Sequence, residues 1–373
     1  RMSRGLGDVY KRQIMDMPNT NPLTTSLDAL HAKFDLLNEK CIVNHSCYFG
    51  ATNTNYTEFD KLDRHRVCGI KLFMGSSTGN MLVDKMNSLL KIFNGTDMLI
   101  AAHCEDQETI LANIEKYKAK YKGEQDIPVK EHPNIRSIAA CYTSSELAVR
   151  LATIAGARLH ILHVSTAKEL KLFSDAPLSE KLITAEACIA HLIYGTSDYS
   201  KLGTRIKCNP AIKRPIEQRA IRAAVNSGVI DVIATDHAPH LLSEKKGGAL
   251  KAMSGMPMIQ FSLVSMLELV DQGVFSLETI VQKMCHAPAQ IFGICRRGYI
   301  REGYQADLVL VRPNTPWEVT TKNILSKCGW SPLEGHTFNW KVEKTFANGH
   351  LIYNDNKVDE AYRGEELRFD YKS

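Results

Sequence analysis

Ala234-Thr235-Asp236-His237-Ala238-Pro239-His240 decides how the rest of the chain is read. It follows the apolar, β-branched residues Val229, Ile230, Val232 and Ile233. It therefore reads as the C-terminal tip of a buried strand that presents an acid and two histidines. A carboxylate at such a tip is costly unless a charge waits for it, and a metal ion supplies one. Three further strand-like segments end in potential metal ligands, which points to an enzyme.

Working outward, short apolar runs alternate with longer helical patterns. Strands are expected at Ile14–Met17, Cys41–Tyr48, Gly69–Met74, Met98–His103, Leu159–Val164, Leu182–Cys188 and Val229–Thr235, with amphipathic helices such as Ser144–Ala157 and Ile216–Ser227 between them. Parallel neighbours need such crossovers, so a parallel α/β sheet follows. Seven strands before residue 240 are one short of a closed eight-stranded barrel. A doubly wound sheet is the rival, but no G-x-G-x-x-G follows an early strand. Beyond Arg301, Gly303–Val311, Val342–Phe346 and Gly349–Tyr353 read as short antiparallel strands. The expected division is a non-native lead over 1–13, a barrel over 14–295, and a C-terminal β module with a tail over 296–373.

Composition narrows the function classes. Hydrophobic content of 44% and charged content of 23% suit a globular protein. The net charge of +5 is small and partly sits in Arg1, Arg4, Lys11 and Arg12, which is no nucleic-acid footprint. Glu115–Lys122, with Tyr117 and Tyr121, reads as a solvated helix face. No apolar run approaches the roughly 20 residues that span a bilayer, and no signal-peptide pattern opens the chain. The ten cysteines are scattered without a C-x-x-C pair, as in a reducing cytoplasm.

Lys71 lies inside an apolar strand, while His103, His163 and Asp236 end three others. At the C-terminal face of a barrel these side chains would converge. Each has a plainer reading: a packed histidine, or a lysine snorkelling to solvent. His160 and His163 differ by three positions, so a continuous strand would point only one of them inward.

These residues carry a family resemblance. The chain resembles the dihydroorotases of the amidohydrolase superfamily, whose substrate-binding M-P-N-T run is matched by Met17-Pro18-Asn19-Thr20. Their D-x-A-P-H-x4-K signature is matched by Asp236–His240 with Lys245, and Trp330–Gly335 is also similar. The resemblance covers residue 14 to about 355. It implies a (β/α)8 TIM-type metal-dependent hydrolase barrel with a small partial β-sandwich module. It further implies two divalent metal ions, most simply Zn2+, bridged by Lys71 carboxylated by CO2. His103 and His163 would complete one metal site and Asp236 would bind the other. Asn19, Asn209 and His240 would hold substrate. Glu186 matches a glutamate that some relatives give to an extra metal, but is read here as a structural hydrogen-bond acceptor. Met74–Gly79 is either a lid or an ordinary turn.

The chain departs from the pattern at its start. The family's first barrel strand ends in H-x-H, followed by a carboxylate-gripping arginine, and no H-x-H occurs in these 373 residues. Only 18 residues precede Asn19. The expectation is an N-terminally truncated member, lacking its first strand, with poor turnover and an exposed edge in its β module.

The activity implied is reversible hydrolysis of dihydroorotate to N-carbamoyl-L-aspartate in pyrimidine synthesis, by metal-bound hydroxide, with Asp236 as general acid/base. The alternatives are another cyclic amidohydrolase, acting on allantoin, hydantoins or dihydropyrimidines, or an inactive scaffold for aspartate transcarbamoylase. A cytoplasmic homo-oligomer is expected, with a small-molecule substrate, possible transcarbamoylase association, and neither nucleic acid nor membrane as partner.

Overall fold

The computed structural model describes residues 13–75 and 80–370. Its strands are β1 (Gln13–Asp16), β2 (Asn44–Cys47), β3 (Phe49–Gly50), β4 (Ile70–Phe73), β5 (Ile100–His103), β6 (Leu159–Ile161), β7 (Ile183–Cys188) and β8 (Val232–Ala234), followed by a C-terminal set. β1 pairs with β2, and β3 to β8 form one sheet in sequence order, all parallel. Tyr48 alone separates β2 from β3, and its N–H donates to Asp16 O at 2.9 Å, so these strands occupy seven successive positions.

The sheet is rolled rather than open. Tyr48, Ala101, Leu162 and Val232 share one apolar cluster, against which Met15 and Ala234 also pack. Strands at both ends of the order therefore meet on one inner face. The alternate residues Ile70, Leu72, Ile100, Ala102, Leu159, Ile161, Ala185 and Ala187 belong to a second cluster under the helices. Both faces are covered, which is why these strands read as nearly continuous apolar runs.

The helices begin and end on local signals. Ser26 caps Leu27–Lys40 by accepting Ala29 N–H at 3.3 Å, and Asp106 caps Gln107–Lys120 through Thr109 N–H at 2.8 Å. The helix expected at Ser144–Ala157 spans Ile138–Ala155. Its true start is Ser137, whose Oγ accepts Ala140 N–H at 3.3 Å, and Gly156 at φ +64° ends it.

The C-terminal strands are β9 (Leu308–Arg312), β10 (Trp317–Glu318), β11 (Thr337–Phe338), β12 (Lys341–Ala347), β13 (His350–Asn354) and β14 (Lys357–Val358). β14-β13-β12-β9 form an antiparallel sheet in that order, and β10 pairs with β11. Among the described residues β9 is a sheet edge, where Leu310 is 45% exposed.

The segment 364–370 then returns to the barrel. Glu366 bridges His45 in parallel and Phe369 bridges Ile294 antiparallel. Leu367 and Phe369 are fully buried in the inner cluster, beside the helix Ala287–Phe292. Gly364 permits this entry, since a Cβ there would lie 2.1 Å from the Val43 carbonyl carbon. Tail and helix together fill the floor of the barrel.

Candidate active site

The opposite end of the barrel gathers polar groups. Lys71 shares the inner face with Ala101, its partner in the β4–β5 register, and Phe73 is likewise matched with His103. Lys71 is buried, with its ammonium 3.9 Å from the centroid of the Phe73 ring. Burial lowers its pKa to about 7, opposed by Cys104, Asp236 and Glu186. The lysine does not snorkel to solvent.

His103 and His163 meet directly, with Nδ1 of the first 3.0 Å from Nε2 of the second. Behind them, His103 Nε2 lies 2.9 Å from Glu105 Oε2. Burial pushes Glu105 up, but Arg136 and His103 outweigh it and hold the carboxyl at about 2. An ionised Glu105 can only accept, so His103 Nε2 donates and Nδ1 keeps its lone pair. His163 then donates from Nε2, and among the described residues its buried Nδ1 has no hydrogen-bond partner. Burial lowers both histidines, so both are neutral donors of electron pairs.

The structure changes the reading of His160 and His163. The strand stops at Ile161 instead of reaching Val164, and His163 adopts φ +41°. That left-handed turn restores His163 to the inside, so both histidines face inward. His160 Nδ1 lies 2.8 Å from Thr184 Oγ1, and its Nε2 lies 3.2 Å from Glu186 Oε2. Glu186 also accepts His163 N–H at 3.3 Å, which makes it the hydrogen-bond acceptor expected from sequence.

Asp236 likewise adopts a left-handed conformation, at φ +43°. Its side chain is exposed. The neighbouring Glu186 pushes its carboxyl up, against the pull of Lys71. Two non-glycine residues in this costly region at two strand exits mark a built site.

The other candidates are spread around it. Asn209 Oδ1 lies 3.1 Å from His132 Nε2. His240 is half-buried and its carbonyl accepts Trp330 Nε1–H at 2.8 Å. Asn19 is exposed, on a loop closed by Thr24 N–H to Pro18 O at 2.9 Å. Of the Met74–Gly79 segment, residues 76–79 lie outside the described residues. Gly75 packs where a Cβ would fall 1.7 Å from Glu105 O, so only glycine lets β4 and β5 exit this close together.

The buried imidazoles of His103 and His163 are the metal-binding donors that this structure brings into direct contact. Among the described residues, no three His, Cys, Asp or Glu side chains converge enough to hold an ion. With the His163 proton moved from Nε2 to Nδ1, the two imidazole nitrogens 3.0 Å apart would sit near the spacing of two ligands on one tetrahedral ion, about 3.3 Å for bonds of about 2.0–2.1 Å. His103, backed by a carboxylate, has the support that oriented metal-binding histidines use. Sequence reading missed Glu105, Arg136 and His160. The i, i+2 spacing of His103 and Glu105 was the available signal.

A family model described as the amidohydrolase family matches residues 83–352. The chain belongs to the amidohydrolase family. That membership makes it a hydrolase of a divalent-metal-dependent kind. This amidohydrolase is 30% identical over 358 residues to a dihydroorotase of Pyrococcus furiosus, covering 95% of this chain and 76% of that one. It is 28% identical over 348 residues to an allantoinase of Bacillus velezensis, covering 91% of this chain and 75% of that one. Its structure superposes on L-hydantoinase (dihydropyrimidinase) from Arthrobacter aurescens with a TM-score of 0.88 and 26% identity, over 94% of this chain and 80% of that one.

Proposed function

We propose that this amidohydrolase is a dihydroorotase, interconverting dihydroorotate and N-carbamoyl-L-aspartate in pyrimidine biosynthesis. The observation that carries the reading is the D-x-A-P-H loop at the tip of β8, which sets Asp236 within electrostatic reach of Lys71. The similarity to archaeal dihydroorotases supports the choice of ring.

His103, His163 and Asp236 would hold divalent metal, most simply zinc, given imidazole and oxygen donors. Lys71 would join them after its neutral amine bonds to CO2 and loses a proton, giving a carbamate whose single negative charge is shared by two oxygens. A bound ion of this kind lowers the pKa of water to about 7 and polarises a carbonyl. Asp236 would accept a proton and return it to the departing ring amide nitrogen. Asn19, Asn209 and His240 would fix the ring and its carboxylate. Residues 14–295 would form the catalytic barrel and 296–373 the accessory module. A cytoplasmic homo-oligomer, with or without aspartate transcarbamoylase, suits this role.

The test is hydrolysis of dihydroorotate beside allantoin, hydantoin and dihydrouracil. A preference for dihydroorotate of about tenfold or more in kcat/KM is expected. A similar preference for another ring overturns the assignment, and no turnover on any ring with metal supplied favours a scaffold.

A further inference from the structure

Lys245 closes the D-x-A-P-H-x4-K signature, and none of the chemistry above uses it. Its side chain is buried. Its ammonium donates to three backbone carbonyls, Lys207 O at 3.0 Å, Met253 O at 2.7 Å and Gly255 O at 2.7 Å. No carboxylate pairs with it among the described residues. All three ammonium donors are thereby satisfied.

Such a cation is an expensive way to fill space. A methionine would occupy a similar volume without desolvating a charge, so packing alone does not explain a lysine. What the ammonium adds is direction: three bonds converging on three carbonyls. Those carbonyls belong to two separate segments. Lys207 stands two residues before Asn209. Gly255 lies against the signature loop, where a Cβ would fall 2.5 Å from Ala238 Cβ and 3.1 Å from His240 Cδ2. The two segments are also joined by Gly255 N–H to Lys207 O at 2.8 Å, and Ala238 N–H reaches Met256 O at 3.1 Å. Lys207 in turn donates to Ala252 O.

We infer that Lys245 is a positioning residue whose ammonium sets the distance between Asn209 and His240, and so governs affinity for the cyclic substrate. The roles of those two side chains rest on the function proposed above. The clamp itself does not.

The experiment compares the full chain with Lys245→Met and Lys245→Gln by hydrogen exchange, thermal melting and calorimetric binding of dihydroorotate. In Lys245→Met, exchange should quicken about tenfold or more in residues 207–209 and 253–256 together, with β12 unchanged, and the dihydroorotate Kd should rise about tenfold. Lys245→Gln keeps two donors, so it should fold and show a smaller change of the same pattern. Loosening of only one segment, or of both with Kd unchanged, overturns the proposal. Failure of both variants to fold overturns it too, since Lys245 would then serve folding. If the unaltered chain binds no dihydroorotate, the substrate reading falls, and the exchange pattern still decides the clamp.

Discussion

Asp236 and His163 both hold a strained left-handed backbone just past the ends of β8 and β6, and His163 is buried against His103. Asp236→Asn preserves shape and removes the proton acceptor, so turnover should fall by about 10²–10⁴-fold, with the melting temperature nearly unchanged. Kinetics and calorimetry on the same preparation check this, and retained turnover would remove Asp236 from the chemistry. Glu105→Gln breaks the buried pair with Arg136 from one side, which costs about 3–5 kcal/mol. Urea titration of that variant measures the loss. At this scale, Lys71, His103 and Asp236 were legible because each ends or interrupts an apolar strand. The expectation that only one of His160 and His163 faces inward failed, because alternation assumes a strand that continues. Glu105 was not singled out, because it lies past the end of its strand and its partner Arg136 is 31 residues away in sequence.

Among the described residues, the expected strands fall on β1, β2 and β4 to β8 and miss mainly their ends, while Phe49–Gly50 of β3 lies beyond the expected Cys41–Tyr48. β8 begins at Val232 rather than Val229, after Gly228 at φ +88° has turned the chain out of the helix Pro215–Ser227. The helix from Ile138 was drawn six residues short, since Ala139, Ala140 and Cys141 show little amphipathic contrast and Ser137 was not read as a cap. Ser137→Ala should cost about 1 kcal/mol, measured by denaturant midpoint. Along β9 an exposed Leu310 sits on a sheet edge, which invites pairing with another chain. Leu310→Lys should lower concentration-dependent association in light scattering while leaving the fold intact. An unchanged association would place any self-contact elsewhere.

For the whole molecule, the barrel and module classes were readable from strand spacing, but the returning tail was not. Residues 364–370 offer only Leu367 and Phe369 as apolar signals, and the segment's bridge partners are distant in sequence, Ile294 for Phe369 and His45 for Glu366. Phe369→Ala should cost about 3–5 kcal/mol, as for other large buried aromatics. Glu366 anchors the same tail through a two-bond pair with Arg66, Nε to Oε2 and Nη2 to Oε1, each 2.8 Å. Burial pushes Glu366 up, but Arg66 and Asn38 hold it below its usual value. A carboxyl with a depressed folded pKa contributes stability above its unfolded pKa of about 4.3, and loses it as pH falls through the folded value. Glu366→Gln should therefore narrow the stability difference between about pH 6 and pH 3, read from urea midpoints. An equal difference in both proteins would rule out this pair as an acid-sensitive latch.

Because that latch is threaded from residues 364–370, the barrel cannot be sealed while the ribosome is still making them. Every strand of the barrel emerges first and waits with its apolar base uncovered. Nascent chains stalled near residue 350 should bind holdase chaperones more than chains released beyond residue 370.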